Sequence, residues 1–309
     1  MTTTDIAALA RSILDHHGAA FAPEGSDRSA LAPQPVPPAT RTEPVYLAAL
    51  QACAQLGFIA VDAECLALAW QAQTARTGQF DAAHWPDDGR DFGLIAADAA
   101  VPPAFAPCPQ SLGLYAVLPD AQWVGRMARA GVPTVQLRFK SEDAAAVARE
   151  VQAAVAAVQG TGALLFINDH WQAALDAGAY GVHVGQEDLD ALPAAALEAM
   201  RTAGVRLGVS THGYAEMLRA QTVRPSYIAL GAVFPTTLKR MATAPQGVAR
   251  LAAYVRLMRE YPLVAIGGIS AEQFPEVLAT GAGSIAVVRA LVNAQDPEAQ
   301  AQALQAAWN

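Results

Sequence analysis

The chain has 309 residues, 53% of them hydrophobic and 16% charged, which excludes disorder over the whole length and allows one large domain or two. Its net charge of −8 argues against broad nucleic-acid binding, and it contains no apolar run long enough to predict a membrane span. The three cysteines lack a CxxC spacing and do not indicate a structural zinc site, and the N-terminus shows no signal-peptide pattern. We therefore expect a cytoplasmic protein that binds neither nucleic acid nor membranes; its oligomeric state stays open.

Two proline-rich stretches mark off the N-terminal third of the chain. Residues 22–44 show no hydrophobic periodicity, and residues 101–110 contain four prolines, so regular secondary structure should stop in both. Between them the sequence predicts two helices, over residues 45–56 and 62–77. We predict a small, mainly helical appendage over residues 1–100, joined by the second stretch as a linker. It matches no motif, and a structural or docking role is favoured over a second catalytic domain.

From residue 111 to residue 309, short apolar runs alternate with alanine-rich helical stretches. Near-continuously apolar runs are typical of parallel strands covered on both faces. Eight such runs occur, over residues 112–118, 133–139, 163–167, 180–185, 205–210, 227–233, 262–268 and 284–288. Eight strand–helix repeats in about 200 residues predict an α/β fold, the (β/α)8 TIM barrel. The alternative is an open doubly wound sheet, but no GxGxxG motif follows the first strand. We also predict that Asp120, Ser141 and Ser270 cap the helices after them.

The second strand ends in a row of polar side chains. In a TIM barrel, side chains at the C-terminal ends of the strands line the active site. Alternation places Gln136, Arg138 and Lys140 on one face of the strand, and two cations on one face indicate an anionic ligand. The alternative is a solvated strand end that forms salt bridges to the next helix.

Two carboxylates follow the third and fourth strands. Asp169 comes after Asn168 at the end of one strand, and Asp188 follows the other. Carboxylates at neighbouring strand ends can share a divalent cation that also contacts phosphate oxygens. Together with Arg138 and Lys140 they indicate Mg²⁺ and a diphosphate, although Asp169 could instead simply cap the next helix.

Hydroxyl groups follow the fifth and sixth strands. Ser210 ends the fifth strand, and the loop after the sixth carries Thr236, Thr237 and Lys239. Hydroxyl groups beside a cation, and amides at a helix N-terminus, suit phosphate oxygens. These residues extend the predicted anionic site of the second to fourth strands.

The last two strands end in the usual phosphate-binding corner of a TIM barrel. Gly268 follows the seventh strand, and Val288 and Arg289 follow the eighth. Glycine allows backbone amides to approach phosphate oxygens closely. We therefore predict two anionic subsites, one built by strands two to six and the other by strands seven and eight.

The histidines point less clearly to chemistry. We interpret His183 as a satisfied interior residue of the fourth strand and His212 as a helix-start residue, while His170 could contact the site. The sequence shows no Ser/His/Asp or Cys/His arrangement, so it does not support covalent nucleophilic catalysis.

Taken in chain order, these segments resemble the thiamine-phosphate synthase family. The resemblance covers about residues 111–305 and rests on QLRFK at 136–140, ND at 168–169, GVHVGQEDL at 181–189, GVSTH at 208–212, GAVFPTTLK at 231–239, APQG at 244–247, AIGGI at 265–269 and VVRA at 287–290. It implies a TIM-barrel transferase of thiamine biosynthesis. Such an enzyme joins 4-amino-2-methyl-5-hydroxymethylpyrimidine diphosphate to 4-methyl-5-(2-hydroxyethyl)thiazole phosphate, or to its carboxylated form, and releases diphosphate.

The resemblance also implies residue roles. The pyrimidine diphosphate would be bound by Gln136, Arg138, Lys140, Asn168, Ser210 and Lys239. Catalysis would fall to four of these, Arg138, Lys140, Ser210 and Lys239. Asp169 and Asp188 would hold Mg²⁺. The thiazole phosphate would contact Thr236, Thr237, Gly268, Val288 and Arg289.

Two positions depart from the family pattern, since Leu238 stands where a threonine is common and Arg289 where a serine is frequent. A dissociative loss of diphosphate would need no protein nucleophile, which agrees with the absence of a nucleophile motif. Two other functions stay open. A thiazole tautomerase on the same barrel would not need the diphosphate cluster, and a non-catalytic sensor of thiamine precursors would use residues 1–100 for signalling.

Overall fold

The computed structural model describes residues 3–22, 32–94, 103–236 and 244–308. The described part of the N-terminal unit, residues 3–94, contains α1 (Thr3–His17), α2 (Pro44–Gln55), α3 (Ala60–Thr77) and a 3-10 turn at Gly89–Phe92. α1 packs on α2, and α2 packs on α3. Both predicted helices are present as α2 and α3, whereas α1 was not predicted.

The two proline-rich stretches are described in part. Residues 32–43 and 103–110 form neither helix nor strand, as their prolines predict. Residues 23–31 and 101–102 lie outside the described residues.

Within the described residues, eight parallel strands close into a barrel in sequence order, from β1 to β8. The strands are β1 (Gly113–Leu118), β2 (Thr134–Leu137), β3 (Leu164–Asn168), β4 (Gly181–Val184), β5 (Arg206–Thr211), β6 (Tyr227–Leu230), β7 (Leu263–Ile266) and β8 (Ser284–Val287). The helices between and after them are α4 (Ala121–Arg129), α5 (Ala144–Val158), α6 (Trp171–Ala177), α7 (Gln186–Ala191), α8 (Ala194–Thr202), α9 (Tyr214–Thr222), α10 (Gly247–Leu257), α11 (Phe274–Ala279), α12 (Arg289–Val292) and α13 (Pro297–Gln305). The predicted TIM barrel is confirmed, and each predicted apolar run overlaps a strand. Among the described helices, none is long and apolar enough to cross a lipid bilayer.

Aromatic side chains fill the barrel interior. Tyr115, Phe166 and Tyr227 are buried there, and the ring of Phe166 lies 5.9 Å from that of Tyr115 and 5.1 Å from that of Tyr227. Gly208 on β5 makes room for this filling, because a Cβ atom at that position would lie 2.1 Å from the Tyr227 ring. Large and small residues thus interdigitate across the interior, which lets the strands close tightly.

Helix capping follows the sequence in part. Asp120 accepts a hydrogen bond from the amide three residues on, and Ser270 forms a capping box at the turn before α11. At α5 the prediction was wrong, because the cap is Asp143 and not Ser141. Asp143 directly precedes the first helical residue, where its carboxylate reaches the free amides of the first turn.

The N-terminal unit and the barrel share one continuous apolar core. α3 packs on α9, and the Trp85 indole donates a hydrogen bond to the Tyr214 hydroxyl at 3.0 Å. The linker crosses the N-terminal ends of the strands, where the amide of Phe105 donates to the carbonyl of Arg224 at 3.0 Å. The opposite, C-terminal ends of the strands are therefore left for the site.

Candidate active site

The C-terminal ends of the strands surround a cavity of about 680 Å³. Its lining includes every predicted site residue that the structure describes, namely Gln136, Arg138, Lys140, Asn168, Asp169, Asp188, Ser210, Thr236, Gly268, Val288 and Arg289. Two predicted residues, Thr237 and Lys239, lie outside the described residues, as does Leu238. Sequence positions from seven strand ends are thus brought together in one cavity.

Lys140, Asp169 and Asp188 form a charged cluster on one side of the cavity. The Lys140 ammonium donates to Oδ2 of Asp169 at 2.6 Å, and the carboxyl groups of Asp169 and Asp188 contact each other. Burial, and then the neighbouring charge of Asp169, raises the pKa of Asp188. The cluster therefore combines one cation with two carboxylates that repel each other when both are ionised.

Backbone geometry places Asp169 in this cluster. Its φ of 65° lies in the left-handed region, at the turn between β3 and α6. The residue directly before α6 is His170, so Asp169 is not the helix cap that the sequence left as an alternative. Likewise, Lys140 pairs with the end of β3 and not with the helix that follows β2. Both observations favour the ligand-binding interpretation of these residues.

The pair Asp169 and Asp188 suits a magnesium ion. The described residues contain no group of three or more histidine, cysteine and acidic side chains that could hold a metal by themselves. Mg²⁺ does not need one, because it is commonly held by one or two carboxylates together with substrate phosphates and water. A cation between the two carboxyl groups would also offset the repulsion that raises the pKa of Asp188.

A chain of hydrogen bonds crosses the barrel interior beneath the cavity. The amide of Gln136 donates to the Tyr115 hydroxyl at 2.9 Å, and the hydroxyls of Tyr115 and Tyr227 are 2.8 Å apart. The Tyr227 hydroxyl lies 2.6 Å from Nδ1 of His183, and Nε2 of His183 lies 2.8 Å from Oγ of Ser210. The chain connects Gln136 and Ser210, which both line the cavity.

This chain fixes polar groups that would otherwise rotate. Burial raises the pKa values of Tyr115 and Tyr227, so both stay neutral hydroxyl groups that can donate and accept. His183 is buried with both ring nitrogens in contact, as predicted for an interior residue, yet it also lines the cavity. Sequence reasoning missed Tyr115 and Tyr227. Their positions on the inward face of β1 and β6 were the available signal.

The remaining histidines differ in their relation to the site. His212 is among the residues that line the cavity, and Nδ1 of its imidazole lies 2.6 Å from the Glu216 carboxylate on the first turn of α9. His212 precedes the helix as predicted, but its place in the cavity wall was missed. His170 instead contacts the carbonyl of Phe139 at 3.1 Å and is not among the described residues that line the cavity.

The loops after β6 and β7 meet on the other side of the cavity. Gly268 has a φ of 69°, and a Cβ atom built there would lie 2.5 Å from the carbonyl oxygen of Pro235. Both the conformation and the close approach therefore require glycine. Val288 and Arg289, after β8, line the same side.

Comparison with known proteins identifies the family. The model of a family described as thiamine monophosphate synthase matches residues 114–291. The chain belongs to this family. It is 53% identical over 205 residues to a thiamine-phosphate synthase of Neisseria meningitidis serogroup B, a match that covers 66% of this chain and 98% of that protein. It is 55% identical over 194 residues to one from Cronobacter sakazakii, covering 63% of this chain and 91% of that one.

A solved structure agrees. The thiamine phosphate pyrophosphorylase of Pyrococcus furiosus superposes with a TM-score of 0.56 at 28% identity, over 63% of this chain and 95% of that one. The resemblance expected from the strand-end motifs is confirmed, and with it the assignment to an enzyme family of transferases in thiamine biosynthesis. The family match begins at residue 114, so the N-terminal unit lies outside it.

Proposed function

We propose that the chain condenses 4-amino-2-methyl-5-hydroxymethylpyrimidine diphosphate with 4-methyl-5-(2-hydroxyethyl)thiazole phosphate. The products are thiamine phosphate and diphosphate. The observation that carries this proposal is the cluster of Lys140, Asp169 and Asp188 in the same cavity as Arg138 and opposite the corner of Gly268. A diphosphate leaving group needs positive charge, which Arg138 and Lys140 supply directly and the two carboxylates would supply by holding Mg²⁺. The side of the cavity at Gly268 offers room for a second anion.

The reaction needs positioning and charge rather than a protein nucleophile. The bond between the pyrimidine methylene carbon and the diphosphate oxygen breaks, and its electron pair leaves with diphosphate. The lone pair of the thiazole nitrogen forms the new carbon–nitrogen bond, so no proton is transferred. With the carboxylated thiazole, the carboxylate also leaves as carbon dioxide and a proton takes its place. Holding the thiazole nitrogen in line with the pyrimidine methylene carbon lowers the activation free energy of such a reaction by a large amount.

The residues of the cavity divide between the two substrates. We assign the pyrimidine diphosphate to Gln136, Arg138, Lys140, Asn168, Ser210 and Lys239. Arg138, Lys140, Ser210 and Lys239 would stabilise the departing diphosphate directly. Asp169 and Asp188 would hold a Mg²⁺ ion, which when bound supplies further positive charge to the diphosphate oxygens. We assign the thiazole phosphate to Thr236, Thr237, Gly268, Val288 and Arg289.

Lys140 has two roles in this proposal. In the described structure its ammonium contacts Asp169 at 2.6 Å, close to where the diphosphate would bind. The ammonium would therefore be held beside the leaving group before the substrate arrives. Such preorganised charge requires little rearrangement as the bond breaks.

The test mixes both phosphorylated precursors, the purified protein and Mg²⁺, and measures thiamine phosphate and diphosphate. We expect both products in equal amounts, and Asp169→Ala should remove most of the activity. Asp176→Ala is the matched control, because Asp176 is exposed on α6 and contacts Gln172 of the same helix. Folded protein that forms no product would refute the proposal. Isomerisation of the thiazole carboxylate without the pyrimidine would indicate a tautomerase instead.

A further inference from the structure

The N-terminal unit caps a helix of the barrel. Asp62 on α3 is buried, and its Oδ1 accepts a hydrogen bond from the amide of Ala215 at 2.9 Å. The residue before α9 is Gly213, which has no side chain to cap the helix itself. Asp62 takes that role from outside the barrel sequence, since a carboxylate at a helix N-terminus satisfies free amides and favours the helix dipole.

Gly213 allows this close approach. A Cβ atom at Gly213 would lie 2.1 Å from Oδ2 of Asp62, so the carboxylate occupies the space that a side chain would fill. The two residues before Gly213 are Thr211 and His212, which line the cavity. The imidazole of His212 is also hydrogen-bonded to Glu216. Glu216 directly follows Ala215, whose backbone amide donates to Asp62. Asp62 therefore holds the turn on which His212 sits.

Aromatic contacts fix the first residue of α9 from the same side. Tyr214 is fully buried, and its hydroxyl accepts from the Trp85 indole at 3.0 Å. The rings of Phe92 and Phe58 lie 5.4 Å and 6.0 Å from the Tyr214 ring. Three residues of the N-terminal unit thus surround the start of α9, directly beyond the cavity wall.

A second set of contacts reaches the loop after β6. Arg250 on α10 donates to the carbonyl of Leu56 at 2.8 Å, and its guanidinium lies 3.9 Å from the centre of the Phe58 ring. The same guanidinium is 3.5 Å from the side-chain oxygen of Gln246. The backbone amide of Gln246 donates to the carbonyl of Ala232 at 2.8 Å, and Ala232 lines the cavity. These bonds join the two ends of the loop that carries Thr236.

We propose that the N-terminal unit is a positioning element of the active site. It holds His212 in the cavity wall through Asp62, and it holds the ends of the loop after β6 through Phe58 and Arg250. The contacts converge on the two segments that line the cavity at β5 and β6. The unit lies outside the family match, and the separate alignment with the Neisseria protein, over 205 residues, covers 98% of that protein. The consequence for turnover rests on the proposed function, whereas the placement of His212 does not.

The experiment compares full-length variants in steady-state kinetics. Asp62→Ala removes the cap, and we expect kcat/KM to fall about tenfold because a small displacement of a cavity wall has large effects on rate. Asp62→Asn keeps an oxygen that accepts from Ala215 and should stay within about threefold of wild type. Tyr46→Phe is the control, since the Tyr46 hydroxyl bonds to Glu64 and Thr40 within the N-terminal unit and should leave kcat and KM unchanged.

A spectroscopic measurement separates this proposal from the proposed function. In ¹⁵N-labelled protein without substrates, the imidazole signals of His212 should shift in Asp62→Ala and not in Tyr46→Phe. The signals are assigned by their loss in His212→Gln. A folded Asp62→Ala protein with unchanged kinetics and unchanged His212 signals would overturn the proposal. If wild type makes no thiamine phosphate, the proposed function fails while the His212 signals still decide this inference.

Phe58→Leu provides a second route if Asp62→Ala does not fold. It removes the ring under Arg250 while keeping an apolar side chain of similar length. We expect the KM for thiazole phosphate to rise about threefold or more, with a smaller change in kcat, because the loop ends lose a support. An unchanged KM in folded Phe58→Leu protein would count against the second half of the proposal.

Discussion

The stability of the chain should depend on pH through Asp62. Burial is the main reason that the pKa of this carboxyl group is raised, to about 6 from an ordinary value of 3.8. The repulsion from Glu216 adds to the rise, whereas the hydrogen bond from Ala215 and the charge of Arg250 limit it. The pKa values of the nearby Cys53 thiol and Tyr214 hydroxyl are raised by burial, so both stay neutral between about pH 4 and 8.

The raised pKa of Asp62 determines how much the unfolding free energy changes with pH, and in which direction. The difference between 3.8 and about 6 corresponds to about 3 kcal/mol of unfolding free energy. The folded protein binds the proton more tightly than the unfolded chain, so below about pH 3 the carboxyl group is neutral in both states and destabilises neither. As the pH rises from about 4 to 6, the carboxyl group loses its proton in the unfolded chain but largely keeps it in the folded state, so the unfolding free energy falls. Above about pH 7 the effect is complete and constant.

The assay is urea unfolding of wild type and Asp62→Asn across this pH range. Taking the difference between the two proteins cancels the titration of groups that they share. The unfolding free energy of wild type minus that of Asp62→Asn should fall by most of about 3 kcal/mol between about pH 4 and 7. Repeating the comparison in a Glu216→Gln background separates the contribution of that neighbour. A difference that is constant with pH, or that rises with pH, would refute the reasoning.

Three further substitutions test the cavity. Lys140→Met should lower kcat at least about 100-fold in a diphosphate-release assay, because it removes charge beside the leaving group; wild-type turnover would contradict that role. Gly268→Ala should raise the KM for thiazole phosphate about tenfold, because a side chain with a φ of 69° would meet the carbonyl of Pro235. An unchanged KM there would argue against Gly268 as part of the thiazole phosphate subsite. Tyr227→Phe should lower the unfolding free energy by about 1–3 kcal/mol in urea, since two buried polar groups lose a partner; a more stable variant would show that the hydroxyl is dispensable.

The barrel and the strand-end residues could be predicted because both depend on local patterns. Apolar runs of strand length alternating with helices indicate the barrel, and the fold itself then brings the strand ends to one cavity. Gln136, Lys140 and Asp188 could therefore be assigned to one site before their distances were known. The cap at α5 was assigned to Ser141 instead of Asp143, because several capping residues in a row leave the first helical position uncertain.

The contacts that were missed join residues far apart in sequence. Alternation indicates that Tyr115 and Tyr227 face inward, but it does not say which side chain across the barrel each one meets. Asp62 and Ala215 are 153 positions apart, and an acidic residue on a helix is ordinarily exposed. The signal for this contact is Gly213, a glycine directly before a helix where a capping side chain would be expected. That signal indicates a missing cap but not the residue that replaces it.

The hydrogen-bonded chain under the cavity makes the two halves of the proposed pyrimidine site interdependent. Gln136 on β2 and Ser210 on β5 lie on different sides of the barrel, yet each is oriented through Tyr115, Tyr227 and His183. A change at Tyr227 should therefore loosen both Gln136 and Ser210. We expect Gln136→Ala to lower the unfolding free energy in urea by less in the Tyr227→Phe variant than in wild type. Residues in one network show such non-additivity, whereas independent contacts add. The floor of the cavity is thus held by the barrel core itself, and the walls after β5 and β6 are held from outside by the N-terminal unit.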